Sequence, residues 1–373
     1  MNRLEEWIRE KCTEQMRMMK LKDVLTIKNG SDYKNFGKGN VPVYGSGGII
    51  TYIDRSIFNK PSVLIPRKGS LDKLYYVDTP FWNVDTIFYT EINTSIVNPK
   101  YIYYCLQSKQ LEKLNKAGGV PSLTQTVLNR ITIPVPPLEV QQEIVSILDQ
   151  FTKLISELTL ELSARKTQYT YYIDKLITHK SIQTVKNKKI EEICTISRGR
   201  VISKDDIKEH TGQYPVYSSQ TEEDGVLGYI NTFDYEGEYV TWTTDGAKAG
   251  SVFHRLGKFS ITNVCGLLQV KTTDVLPRYL FYALSVKAPQ YVNKGMGNPK
   301  LMSNIMGRIT IPVPPLEIQQ RIVDVLDNFE SICNDLSIGL PAEITSRKAQ
   351  YEYYRDALLN YAETSIYREE KRR

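Results

Sequence analysis

Residue types that bind metals or form cross-links are scarce. Three histidines, His179, His210 and His254, never recur at a ligand spacing, and five cysteines, Cys12, Cys105, Cys194, Cys265 and Cys333, stand far apart with no C-x-x-C pair. This excludes a disulfide framework and the common zinc sites, and the odd count suits reduced thiols in a cytoplasm. No apolar run approaches the ~18 residues of a membrane span and no basic-then-apolar leader opens the chain, so a soluble, cytoplasmic protein without membrane contact is expected. Also missing are a G-x-G-x-x-G turn opening a βαβ unit and a P-loop. Asp205-Asp206-Ile207-Lys208 superficially matches a nuclease D-x-K, but no companion acid stands on a preceding strand, and it reads as a solvated turn. With no methyl-donor loop, nucleotide cradle or metal ligands, the chain is expected to be non-catalytic.

What is present is ordinary in amount and unusual in distribution. The 373 residues, 41% of them hydrophobic, leave room for about two or three globular domains. The net charge of +6 is uneven: residues 20–130 hold 15 Lys and Arg against 8 Asp and Glu, and residues 186–308 hold 16 against 13. Residues 131–185 and 309–373 are slightly acidic, 5 against 6 and 8 against 11. Two basic regions suggest polyanion binding, and the neutral-to-acidic stretches suggest protein contacts.

One stretch occurs twice. Ile131 to Glu139 reads ITIPVPPLE, and so does Ile309 to Glu317, displaced by 178 positions. The match continues through Val140–Phe151 against Ile318–Phe329, and resumes as RKTQYTYYIDKLI from Arg165 against RKAQYEYYRDALL from Arg347, four residues further displaced. In the first copy Ile144, Leu148, Phe151, Ile155, Leu158 and Leu162 step by four and three, a heptad seam. Extended through Tyr169, Tyr172 and Leu176, that helix runs roughly 35–40 residues, about 50–60 Å at ~1.5 Å per residue. The second copy keeps Leu326, Phe329, Leu336 and Tyr351 on its seam, with a break expected at Gly339-Leu340-Pro341, where Gly ends a helix and Pro begins the next. Two helices with one apolar seam each are expected to bury those seams against each other. The competing reading is two separate amphipathic core helices.

Before each long helix lies a β-rich region with short runs at Val24–Ile27, Val41–Tyr44, Val63–Ile65 and Ile87–Tyr89, then a helix over about Pro99–Lys116 and a glycine loop. The second region repeats the order: Val41–Ser46 resembles Tyr214–Ser219, Asn83-Val84 corresponds to Asn263-Val264, and Pro99–Leu106 to Pro277–Leu284. The chain is thus a tandem duplication: a helical segment at 1–19, a globular domain at 20–136, a long helix at 137–185, a second domain at 186–314 and a second helix at 315–373. The fold class expected is α/β (α+β) domains with an antiparallel coiled-coil helix pair in pseudo-twofold arrangement.

The two copies of I-P-V-P-P-L-E-x-Q-Q, the following I-V-x-x-L-D-x-F and the R-K-x-Q-Y-x-Y-Y-x-D-x-L segments resemble the specificity (S) subunits of type I restriction-modification systems, across nearly the whole chain. The resemblance implies that each globular domain is a target-recognition domain reading one half of a split double-stranded DNA site, and that the helix pair sets the spacer. It implies two methyltransferase (M) subunits docked on the helices and endonuclease/translocase (R) subunits joining that core, with S-adenosylmethionine, ATP and Mg belonging to those partners. The alternatives are the recognition subunit of a restriction system cutting outside its site, and a coiled-coil scaffold with no DNA role.

Phosphates are taken by Lys, Arg and backbone N–H groups, and base edges by Arg, Lys, Asn, Gln, Ser or Thr. The candidates in the first domain are Lys28, Lys34, Lys38, Ser46, Arg67, Lys68, Ser70, Lys116, Gly119, Ser122 and Gln125. In the second they are Arg198, Arg200, Ser219, Gln220, Thr244, Lys248, Lys294, Gly297, Asn298 and Lys300. Strand aromatics Tyr44, Trp82, Tyr217 and Trp242 are expected in the core. Gln141, Gln142, Gln319 and Gln320, following Pro-Pro-Leu-Glu, are expected to cap the helix start or to meet the M subunit.

Overall fold

The structure, a computed structural model, describes residues 17–115, 121–178, 185–295 and 297–370, with backbone alone from 360 onward. It divides into two compact units, one formed by residues 1–159 with 343–373 and the other by residues 160–342.

Unit 1 opens on strand β1 (Arg17–Lys20), paired antiparallel with β9 (Thr132–Val135). Residues 17–19 are therefore strand and not the end of a helix, because the I-P-V segment needs a partner for its backbone groups; residues 1–16 of the expected helix lie outside the described residues. A single turn, α1 (Leu21–Val24), buries Leu21 and Val24 and leads into β2 (Leu25–Asn29). Then come β3 (Lys38–Gly45), β4 (Gly48–Ile53), β5 (Ser62–Pro66), β6 (Tyr75–Val77), β7 (Trp82–Asn83) and β8 (Ile87–Ile92). They form one sheet in the order β2-β8-β5-β6 and another in the order β4-β3-β7.

Helix α2 (Pro99–Ser108) begins with Pro at its first position, its Asn98 cap accepting from the amides of Lys100 (2.8 Å) and Tyr101 (3.3 Å). It was expected to reach Lys116 but stops at Ser108: Gln110 turns to φ +46° and a 3₁₀ turn, Leu111–Leu114, follows. Helix α3 (Gln125–Leu128) and β9 lead into α4 (Leu138–Thr178), an unbroken helix of 41 residues.

Unit 2 repeats this order. Strand β10 (Lys186–Lys189) pairs with β17 (Thr310–Val313) in the register of β1 with β9. A turn α5 (Ile190–Ile193), β11 (Cys194–Arg198), an added helix α6 (Lys204–Glu209), β12 (Thr211–Tyr217), β13 (Val226–Ile230), β14 (Tyr235–Thr243), β15 (Val252–Ile261) and β16 (Cys265–Val270) come next, then α7 (Pro277–Lys287) and α8 (Ser303–Arg308). Here one sheet runs β11-β16-β14-β15-β12-β13. The ten-residue β15 pairs antiparallel with β14 and parallel with β12, so it joins what are two sheets in unit 1. There the same path is split into β6 and β7, separated by a stretch holding Pro80, which cannot donate to a ladder.

Both cores take in helix residues. In unit 1 Val140, Ile144 and Leu148 of α4 join Tyr101, Ile102 and Cys105 of α2, together with Leu358 and Leu359 of α10 (Leu340–Glu370). Phe151 stacks on Tyr354 with centroids 5.2 Å apart, and the Tyr351 hydroxyl donates to Gln107 Oε1 at 2.7 Å. In unit 2 the rings of Tyr169 and Tyr172 lie 6.5 and 5.6 Å from that of Phe329 in α9 (Leu316–Asn334), and Leu326 is fully buried. Burial raises the Cys333 thiol of α9 above its ordinary value, against the opposing pull of Lys166 and Arg165 of α4. Numbers rise along α4 as they fall along α9, so the pair is antiparallel.

Leu148, Phe151, Ile155, Leu158, Leu162, Phe329 and Tyr351 are all buried or half-buried as the seam requires. Leu336 is not: at 81% exposure it lies in the turn between α9 and α10. There Asp335 accepts from Ser337 N (2.7 Å), Ser337 Oγ (2.6 Å) and Ile338 N (3.2 Å), and the heptad does not carry across. Among the described residues no helix is long and apolar enough to cross a membrane.

Candidate nucleic-acid interface

Each unit carries the same backbone corner. In unit 1 the chain leaving β5 donates from Arg67 N (2.9 Å) and Lys68 N (3.2 Å) to the Thr86 carbonyl, the Arg67 carbonyl accepts from Leu123 N (2.9 Å), and Gly69 N donates to Pro121 O (3.2 Å). In unit 2 Thr244 N donates to Val264 O (3.0 Å), Thr244 O accepts from Leu301 N (2.9 Å), and Gly246 N donates to Pro299 O (3.0 Å). Gly69 and Gly246 turn the chain at φ +86° and +96°, a conformation that favours glycine. Bridges join Lys68 to Ser122 and Asp245 to Lys300. The frame equates Asn29 with Arg198, Arg67 with Thr244, Lys68 with Asp245, Asp85 with Asn263, and Ser122 with Lys300; every pair differs in side chain.

The frame also corrects one equivalence. Val84 N donates to Tyr44 O (3.0 Å) as Thr262 N donates to Tyr217 O (2.9 Å). Asn83-Val84 therefore corresponds to Ile261-Thr262, two residues earlier than the shared Asn-Val letters suggest.

At the unit 1 corner Arg67 Nη1 donates to the Asp85 carbonyl (3.4 Å), with Lys68 exposed beside it. Ser46 Oγ would lie 3.3 Å from a Cβ on Gly69, so the turn after β3 belongs to the same surface. Ser70, Ser122 and Gln125 complete it, Gln125 Nε2 donating to Asn29 Oδ1 (3.3 Å). Lys28, next to Asn29, is shared with Glu91 (3.6 Å), an exposed pair worth at most about 1 kcal/mol. The structure does not bring Lys34 and Lys38 here: Lys38 stands at the far end of β3 from Ser46, roughly 25 Å of extended chain at ~3.3 Å per residue. Lys34 sits in a turn held by Phe36 on Trp82 (4.7 Å). Lys116 and Gly119 lie outside the described residues.

At the unit 2 corner Arg198 Nη2 donates to Asn263 O (2.9 Å) and Thr244 Oγ1 (3.0 Å) and stands 3.5 Å from Asp245 Oδ2, while Lys300 Nζ stands 3.5 Å from Oδ1. Thr244 is a correction: it is fully buried, its hydroxyl is spent on Arg198 and Asp245, and it cannot reach a groove. Lys248 is exposed in the turn after Gly246. Lys294, Gly297 and Asn298 are exposed on a loop closed by two bonds between Asn293 and Lys300 (2.9 and 3.1 Å). Arg200 is exposed and paired through Nε with Asp234 (3.0 and 3.2 Å). Ser219 and Gln220 lie in the turn after β12, where Gln220 Nε2 donates to Val226 O.

Gln141 and Gln319 are fully buried and are corrected from partner-facing to internal. Gln141 Oε1 accepts from Asn98 N (2.8 Å), and its Nε2 donates to Ile96 O (3.0 Å) and Pro136 O (2.7 Å). Gln319 does the same with Leu276 N (2.9 Å), Asp274 O (2.7 Å) and Pro314 O (2.7 Å). Each clamps the start of a long helix to the loop before α2 or α7. Gln142 and Gln320 remain exposed, and Gln320 lines a cavity of about 580 Å³ with Arg278, His254 and Asp327.

Two features escaped the sequence reading. Lys100 pairs with Asp149 (2.7 Å), which also accepts from Tyr104; Arg278 pairs with Asp327 (2.8 Å) and Glu330 (2.5 Å), with Tyr282 on the same carboxylates. Burial, together with the bond to the carboxylate, pushes both tyrosine hydroxyls far above their usual range. Their common displacement of 178 was the available signal. Arg255, only 2% exposed, lies 3.6 Å from the Tyr217 ring and bonds Asp224; a lone arginine in a strand carries no sequence signal.

The family model for the type I restriction modification DNA specificity domain matches residues 13–165 and again 182–346. The chain is 35% identical over 313 residues to the MpnII type I restriction enzyme specificity subunit of Mycoplasma pneumoniae, covering 67% of this chain and 94% of that one. It is 30% identical over 353 residues to a Haemophilus influenzae chain described as a type I restriction enzyme specificity subunit, covering 87% and 89%. A crystal structure of the S subunit of a type I restriction-modification system from M. genitalium shares the fold, with a TM-score of 0.64 at 14% identity over 92% of this chain and 96% of that one.

Proposed function

The chain belongs to the type I restriction-modification DNA specificity family, and from that premise we propose that each unit reads one half of a split DNA site, with the helix pair acting as the spacer ruler. The observation that carries this reading is the corner: one backbone frame, kept by identical Gly, Pro and Leu residues (Gly69 and Gly246, Pro121 and Pro299, Leu123 and Leu301), occurs twice and carries different side chains at the five pairs named above. A module kept for geometry and varied at its edge is what independent reading of two half-sites requires. A split site needs its two readers about one DNA turn apart, roughly 34–36 Å, and a helix of 41 residues is long enough to supply that distance.

In this reading two methyltransferase subunits dock on the helices, at faces including Gln142 and Gln320, and endonuclease/translocase subunits join that core in the cytoplasm. S-adenosylmethionine, ATP and Mg are taken by those partners, and this chain performs no chemistry. The test is a genome-wide map of methylated bases in the host with and without the gene. Loss of one split motif, with two defined halves and a fixed undefined spacer, is the expected result. An unchanged map, with the methyltransferase subunit present and active, would overturn the reading.

A further inference from the structure

The two corners share more than backbone. Arg67 donates to the Asp85 carbonyl and Arg198 to the Asn263 carbonyl, and these carbonyls occupy one position of the frame, each one residue after the amide (Val84 or Thr262) that bonds the tyrosine carbonyl at the end of β3 or β12. The arginines themselves are not equivalent. Arg67 follows β5, where unit 2 has Thr244; Arg198 closes β11, where unit 1 has Asn29. Two different strands thus bring a guanidinium to the same carbonyl. A side chain inherited from a common ancestor would sit at the same position in both copies, so the arrival by two routes points to a demand on that place.

Arginine suits such a demand. Its planar fork matches paired acceptors, and an anchor to a carbonyl reduces the rotamer freedom it must surrender on binding. Arg198 is held further by Thr244 and Asp245. All of its hydrogen bonds inside the protein, among the described residues, are made through Nη2. Of the neighbouring arginines, Arg255 is buried and bound to Asp224, and the Arg200 side chain reaches no carbonyl of the frame, pairing through Nε with Asp234.

Resting on the reading of this chain as a specificity subunit, we propose that Arg67 and Arg198 are the base-reading residues of units 1 and 2. Each donates to the acceptor edge of a guanine in the major groove of its own half-site, Arg67 from Nε and Nη2 to N7 and O6, and Arg198 from Nη1, since its Nη2 is committed within the protein.

The experiment uses the intact methyltransferase complex and its host. Methylation maps are compared for the parent, the gene deletion, Arg67→Ala, Arg198→Ala, the two Arg→Lys variants and Lys248→Ala, with DNA affinity measured against salt concentration. Each Arg→Ala variant relaxes one guanine position in one half, leaves the other half intact, and loses roughly 5- to 150-fold in cognate affinity. Arg→Lys relaxes the same position, because lysine keeps the charge and lacks the fork; these variants, with melting temperatures recorded, carry the test should an alanine variant fail to fold. Lys248→Ala weakens all sequences alike and lowers the salt slope by about one. If deletion removes a split motif but the arginine variants keep every defined position, or weaken all sequences alike, the assignment is wrong and the specificity reading stands. If deletion removes no split motif, both fall together.

Discussion

Replacing Gln141 with leucine distinguishes a structural clamp from a docking residue. The side chain is fully buried and makes three hydrogen bonds, to Asn98 N, Ile96 O and Pro136 O. Leucine fills most of the volume and leaves one amide and two carbonyls without partners. At about 0.5–1.5 kcal/mol for each buried bond the loss is about 2–4 kcal/mol. With about 2–4 °C per kcal/mol for a unit of this size, melting of unit 1 should fall by roughly 5–15 °C. Gln319→Leu should do the same to unit 2, because its three partners are equivalent. Gln142→Ala, one residue along and exposed, should stay within about 0.5 kcal/mol of the parent. Calorimetric melts of the purified chain, read beside methyltransferase-subunit capture, decide the matter. A Gln141→Leu protein that melts with the parent yet fails to capture the subunit would refute the clamp.

The joint between each globular domain and its helix should be graded by its charges. Arg278→Ala removes the cation from two part-exposed carboxylates, Asp327 and Glu330, which keep Tyr282, and should cost about 1–3 kcal/mol, whereas Lys100→Ala removes it from Asp149 alone and should cost less in a paired chemical-denaturation series. The order of the two losses is the test. Burial pushes the thiols of Cys194 and Cys265 up to about 12, against the smaller opposing pull of Lys271 on the first and Arg255 on the second. A folded value above the unfolded one gives stability that is complete below about pH 8.5 and drains as the pH climbs toward 12, because the unfolded chain ionises first. Melts of the chain from pH 8 to 11 should show unit 2 weakening, and a thiol reagent at pH 8 should leave both residues unmodified until unfolding; rapid native labelling would contradict the burial.

How much of this was legible beforehand depended on the kind of signal. The long helices announced themselves through heptad spacing, and the break near Gly339 through an insertion of four residues. Leu336 was misplaced because the spacing was carried across that insertion, into a turn that Asp335 organises through backbone amides. Gln141 and Gln319 looked exposed because polar pairs after a proline usually are; their recurrence in the longest identical segment was equally a mark of internal structure. The corner was only half visible. Its members were found as basic and polar residues, but Arg67 and Arg198 descend from different strands, and no alignment of the two repeats sets them side by side. The displacement of 178 relates Asp85 to Asn263, whereas the shared Asn-Val letters point two residues away, and backbone geometry decides for the former.

Unit 1 is discontinuous in sequence, and this bears on how the chain is made. Leu358 and Leu359 close its core, and Tyr351 and Tyr354 cover Gln107 and Phe151, yet these residues leave the ribosome after the whole of unit 2. At roughly 5–20 residues per second, the stretch from 160 to 342 takes about 10–40 s to synthesise. Through that interval the apolar flank of α2 and the first half of α4 stands uncovered, while unit 2 already has every residue it needs. The earliest-made domain is therefore the last to be finished and the one most exposed to chaperones and proteases, and a premature stop before residue 343 would damage the beginning of the protein and spare its middle.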